Sequence, residues 1–297
     1  MSTAEINALI TLLEDPDQGI FDQIKRAIVK KGEAVVPQLQ HYGEYNSYGD
    51  LFQKRIEDLI QSIKYNTAKE GLLAWSEDEK NDLLEGALLI SRSQNPSFTE
   101  QEVREKIGQI RQDIWLELND ELTAFEIVNV FNHILYTLHG FEGNKKDYTS
   151  PQNSIIADML DTKKGNPLSL AVLYQILASQ LDVPIFGVNL PNHFILCYLD
   201  ENHCGMDSND VDDHGALFYI NPFSGGTIIH KNEIDDFLFH LNLPKKVKYY
   251  RPCDNKQIIS RMINNLIFAH TQQNNEQKVD ELKALQEIFI LKVSEES

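Results

Sequence analysis

The stretch from Leu168 to Leu181 has no polar face. Leu168, Leu170, Ala171, Val172, Leu173, Ile176, Leu177, Ala178 and Leu181 cover nearly every side of a helical projection. A helix apolar nearly all round is buried, so other elements must be packed around it. Its start is well marked, because Asn166 suits the N-cap and Pro167 the first helical position. Strand-like runs at 184–190, 193–199, 217–221 and 226–230 follow, with a short helix at 232–241. A local helix followed by consecutive strands predicts an α+β core, in which a central buried helix packs on an antiparallel sheet.

The flanks are helical. From residue 4 to about 64, Ile6, Leu9, Ile10 and Leu13 keep helical spacing and Asp15-Pro16-Asp17 breaks it. Phe21, Ile24, Ala27 and Ile28 resume it up to Lys31-Gly32. A third piece begins at Val35, Val36 and Leu39, and a fourth runs from Leu51 to Ile63. The first pair resembles a HEAT unit, although one unit is not a repeat. Further helices are expected at 78–93, 99–119 and 123–139, and a polar loop at 140–151. Asn255–Gln273 and Glu276–Val293 should form an αα-hairpin. The expected division is a HEAT-like helical segment (1–65), a core with its leading helices (66–250) and a TPR-like helical hairpin (251–297).

Acidic residues outnumber basic ones by 45 to 27, giving a net charge of −18. Such a surface repels phosphate backbones and anionic membranes, so neither nucleic acid nor membrane is expected as a partner. No apolar run approaches the roughly 18 residues that span a bilayer. Cys197, Cys204 and Cys253 are few, odd in number and lack zinc-like spacing, which points to a reducing, cytoplasmic setting. The first ten residues do not read as a signal peptide. The acidic stretch Asp200–Gly215 contains His203, Cys204 and His214, but it fails the calcium-loop template: counted from Asp210, the bidentate glutamate position falls on Asn221. It reads as a solvated hairpin loop, and no metal or cofactor is expected.

Several ordered motifs carry a resemblance: Phe141-x-Gly143-Asn144, Tyr148, Pro151-x-Asn153-Ser154, Gly165-x-Pro167-x-Ser169-Leu170, Gly187-Val188-x-Leu190-Pro191-x-His193-Phe194 and Asn221-Pro222-Phe223-x-Gly225-Gly226. Together they resemble the bacterial SirB-one family, transglutaminase-like proteins with a helical N-terminal region and a TPR-like C-terminal one. The resemblance implies a papain- or transglutaminase-type core. In active members a cysteine opens the central helix, a histidine serves as base, and an acid or amide orients it. Carried onto this chain, His193 takes the base position and Asn221 the orienting one, while Pro167 stands where the cysteine would be. Asn192 replaces the usual glycine before the histidine and can hold the same turn at positive φ.

Ser169 is the nearby hydroxyl. It lies two residues along the helix from Pro167, about 200° round, on a face with Leu173, Ile176 and Gln180, and it is also placed to serve its own helix start. If the face of Pro167, Ala171, Tyr174 and Ala178 meets the sheet, Ser169 points away from His193. Cys197 is four residues beyond His193, about 13 Å along a strand, and reads as core. The leading expectation is therefore a non-catalytic binding or regulatory protein whose partner is another protein or a peptide. A hydrolase or acyltransferase using Ser169, His193 and Asn221 is the alternative, and a plain helical scaffold is the third. Oligomeric state is not legible.

Overall fold

A computed structural model describes residues 3–43, 49–95, 98–200 and 215–293. Its helices are α1 (Thr3–Thr11), α2 (Gln18–Val29), α3 (Val36–Gly43), α4 (Asp50–Glu77), α5 (Leu83–Gln94), α6 (Glu100–Glu117), α7 (Ala124–Asn132), α8 (Ile156–Thr162), α9 (Pro167–Ser179), α10 (Lys231–His240), α11 (Asn255–Gln272) and α12 (Glu276–Val293). The strands are β1 (Glu142–Gly143), β2 (Lys164–Gly165), β3 (Ile185–Leu190), β4 (His193–Leu199), β5 (Ala216–Asn221) and β6 (Thr227–Ile229). The fold is α+β and mostly helical. Among the described residues no helix is long and apolar enough to cross a membrane.

The chain divides into two compact units, residues 1–77 with 89–98, and residues 78–88 with 99–297. In the first, Ile10, Leu13, Phe21, Ile24, Ile28, Val35, Leu39, Phe52, Ile56, Leu59 and Ile63 form one core. Asp17 caps α2 by accepting from the N–H groups of Gly19 and Ile20, satisfying donors that a helix start leaves unpaired. Arg55 is 4% exposed. Its guanidinium donates to the carbonyls of Leu13, at 2.9 Å, and Asp15 and lies 4.6 Å from the centre of the Phe21 ring. Helix α4 runs past residue 64 to Glu77 because Ala68, Leu72 and Trp75 continue its buried stripe.

The second unit is built around α9, in which every residue from Pro167 to Ala178 is buried. Strands β3 to β6 form an antiparallel sheet in sequential order, and β1 pairs with β2 in parallel. The β3–β4 hairpin closes at the Leu190↔His193 pair, with Pro191 fixed by its ring and Asn192 at φ +56°. That is the type II turn pattern, which needs a residue tolerant of positive φ at its third position. The α11–α12 hairpin belongs to this unit rather than standing apart. Asn255 accepts from Gln175 Nε2 at 3.2 Å, and the Cys253 N–H donates to the Gly187 carbonyl at 2.8 Å.

Candidate functional site

The start of α9 is tied down from both directions. Asn166 Oδ1 accepts from the Ser169 N–H at 2.9 Å, and Ser169 Oγ accepts from the Asn166 N–H at 3.1 Å, which together make a reciprocal capping box. The Ser169 hydroxyl also lies 3.3 Å from the Asn166 carbonyl, to which it donates. Asn166 Nδ2 donates to Ser154 Oγ at 2.8 Å, and the Asn166 N–H is shared with the Asn153 carbonyl at 3.2 Å. Asn153 in turn donates to the Asp147 and Tyr148 carbonyls and accepts from Asn144 Nδ2. Asn144, Asn153, Ser154, Asn166 and Ser169 of the motif are thus one polar network at this helix start, and the last four are buried. Buried polar groups specify a structure in this way when all of them are satisfied.

Two glycines of the motif are required by close approach. A Cβ on Gly143 would meet the Phe223 ring at 2.6 Å and its carbonyl oxygen at 2.8 Å. Gly226 has φ +73°, and a Cβ there would fall 1.8 Å from Asn132 Oδ1. The turn Pro222–Ser224 consequently packs directly on β1 and α9, and Asn132 Nδ2 bonds the Gly226 carbonyl at 2.9 Å.

His193 opens β4. Leu196 pairs with Ile220 across β4 and β5, so one step further Asn221 faces Ile195 and is the diagonal neighbour of His193, on the same face of the sheet. The expected adjacency of histidine and amide is present. Asn221 favours the protonated imidazole, yet burial, first, and the Arg261 charge, second, hold the His193 pKa below the ordinary 6.5. Asn221 Oδ1 itself is buried and makes no hydrogen bond of good geometry. The ring centre of His193 is 6.1 Å from that of Phe237 on α10.

His193 faces α10, whereas the body of α9 packs on the other face of the sheet. On β4, Ile195 and Cys197, which alternate with His193, belong to a cluster with Ile234 and Leu238 of α10 and with Tyr250. The opposite face carries Phe194, and it is this face that meets α9. A Cβ on Gly187 would lie 2.7 Å from the Phe194 ring and 3.1 Å from Gln175 Oε1, and Gln175 Oε1 accepts the Gly187 N–H at 2.8 Å. Of the helix side formed by Pro167, Ala171, Tyr174 and Ala178, Tyr174 turns away from the sheet. Tyr174 stacks on Phe131 of α7 with ring centres 5.0 Å apart, and Gln175 is the residue that touches β3. No hydrogen bond joins Ser169 to His193 among the described residues, and Ser169 is 1% exposed.

The two described cysteines are free and buried. Burial pushes the Cys197 thiol up, and that of Cys253 up to about 12, which removes the thiolate a nucleophile requires. The acidic stretch expected to form a hairpin loop, with His203, Cys204 and His214, lies outside the described residues. Among the described residues no group of three His, Cys, Asp or Glu could hold a metal ion. Sequence reasoning missed α8 and the six-residue π-helical turn His133–Leu138. The first lies between motif residues with no cap signal of its own, and the second continues the α7 pattern without a break.

Comparison with known proteins agrees with this architecture. A profile of the transglutaminase-like superfamily matches residues 101–264. A UPF0162 protein of Xylella fastidiosa (strain 9a5c) is 26% identical over 214 residues, covering 68% of this chain and 70% of that protein. A UPF0162 protein of Vibrio cholerae is 27% identical over 188 residues, covering 61% of this chain and 64% of that protein. The F-box only protein 21 of Homo sapiens is 25% identical over 185 residues, which cover 62% of this chain and 27% of that protein. No solved structure gives a significant match. With more than half of its length matched by the profile, the chain belongs to the transglutaminase-like superfamily.

Proposed function

We propose that this chain is a non-catalytic binding or regulatory module of the reducing cytoplasm, a transglutaminase-like core that has lost its acyl-transfer nucleophile. The observation that carries this reading is the fate of the one hydroxyl near the nucleophile position. Pro167 opens α9, and Ser169 Oγ is engaged by both the N–H and the carbonyl of Asn166. A nucleophile needs its proton within reach of a base, and among the described residues Ser169 Oγ bonds Asn166 and not His193. The human F-box relative supports a modular role, since the matched stretch is only 27% of that longer protein. On this reading the partner is another protein or a peptide.

The alternative, a hydrolase or acyltransferase working through Ser169, His193 and Asn221, draws support from the lowered pKa of His193 beside Asn221. Labelling with fluorophosphonate and haloacetamide probes separates the two. The expected result is no labelling that depends on Ser169. Labelling of the wild type that vanishes in Ser169→Ala would establish the enzyme reading instead.

A further inference from the structure

The hairpin turn just before His193 forms one wall of a cavity of about 700 Å³ in the second unit, the opposite wall coming from α11 and the segment leading into it. Thirteen residues line it. Three are cations (Lys248, Arg251 and Arg261) and none is a carboxylate, although the chain carries 45 acidic residues. Gln257 and Asn264 add amide groups from α11, about two turns apart on one side of the helix.

Arg261 is built into this wall. Its Nη1 donates to the Leu190 carbonyl at 2.6 Å and to Asn189 Oδ1. Its Nε and Nη2 make no hydrogen bond, and the side chain makes no ion pair, among the described residues. Both acceptors are neutral, and burial draws the guanidinium pKa down. The fold therefore holds a partly desolvated cation without a counter-charge, an arrangement that costs free energy until an anion supplies one. A guanidinium fixed through one nitrogen also keeps its plane set and offers its remaining N–H groups as a fork suited to carboxylate or phosphate oxygens.

We infer that this cavity binds a small molecule bearing an oxyanion, a carboxylate or a phosphate, with Arg261 as the anchoring contact and Arg251 and Lys248 as flanking cations. The volume is that of a small-molecule site. The net charge of −18 decides against a polyanion. A nucleic acid would extend across the acidic surface, whereas a small ligand meets only charges within a Debye length, about 8 Å at physiological salt. The inference does not depend on the chemistry of Ser169, so either reading can fail without the other.

Isothermal titration of the full chain with inorganic phosphate, pyrophosphate and citrate tests it, with a short single-stranded DNA as the polyanion. Saturable binding of at least one small anion is expected. Binding of the phosphates alone identifies a phosphate ligand, and binding of citrate alone a carboxylate ligand. Arg261→Gln should weaken the interaction at least tenfold, about the loss of one charge-assisted hydrogen bond. Because Arg261 also holds the turn, Asn264→Glu is the companion variant. Its side chain is exposed on α11, so the melting curve should be kept while the new carboxylate repels the ligand by a similar factor. Absence of binding by all three anions at millimolar concentration would overturn the inference. So would binding that Asn264→Glu leaves unchanged, or DNA binding stronger than that of every small anion.

Discussion

Replacing Ser169 by alanine distinguishes a helix cap from a nucleophile, because the two roles predict opposite changes in stability and activity. The substitution deletes an oxygen that accepts from the Asn166 N–H at 3.1 Å and donates to the Asn166 carbonyl at 3.3 Å, in a residue 1% exposed. It does not orphan the Asn166 N–H, which keeps the Asn153 carbonyl at 3.2 Å. The cost is therefore that of a buried hydrogen bond rather than of a stranded donor, about 1 kcal/mol. In a unit of about 200 residues that lowers the melting temperature by about 2–4 °C.

Asn166→Ala should cost more, about 2–3 kcal/mol. It leaves the buried Ser169 N–H without its 2.9 Å acceptor and breaks the 2.8 Å bond to Ser154. The two substitutions remove different bonds of the capping box, each made to the other residue's backbone N–H, so the double variant should lose about the sum of the two. Thermal melts followed by circular dichroism, with probe labelling measured on the same samples, read both quantities. An unchanged melt for Ser169→Ala would refute the capping argument, and a double variant no less stable than Asn166→Ala alone would refute the independence of the two bonds.

Three further outcomes are expected. Arg55→Met should destabilise the first unit by about 2–3 kcal/mol, because it strands the Leu13 and Asp15 carbonyls. Arg55→Lys should recover part of this, since both bonds come from the single Nη1 and an ammonium can also donate twice, while the contact of the guanidinium with the Phe21 ring is lost. No recovery in denaturant melts would contradict that geometry. Gly226→Ala should cost about 3 kcal/mol, combining strain at φ +73° with the displacement of Asn132; a melt close to wild type would place the Pro222–Ser224 turn elsewhere. Burial lowers the pKa of His193, with Arg261 adding to it, and that of His270, with Lys278 adding to it, both from 6.5. The unfolded chain then binds more protons than the folded one as pH falls below 6.5, so these groups contribute stability above that value and lose it toward the folded pKa. His193→Gln should flatten part of that slope in urea midpoints measured against pH, and an unaltered slope would mean that the imidazole is solvated.

The central helix and the strands were legible because their signals are local. Asn166 and Pro167 mark a helix start by capping geometry, the apolar run behind them marks burial, and Asn192 before His193 marks a turn needing positive φ. The cap role of Ser169 was legible for the same reason, since it depends on residues three apart. Periodicity reports that a face is buried without saying against what. From Phe194 to Tyr198 every residue of β4 is buried, so no alternation of polar and apolar residues revealed which face meets α9. Tertiary packing alone put His193 on the α10 side and Gln175 against β3. It also extended α4 to Glu77 and brought Lys248, Arg251 and Arg261 around the turn before His193. Those three cations are spread over fourteen positions of an acidic chain. Their convergence comes from the docking of α11 on the β3–β4 hairpin, which no local pattern encodes.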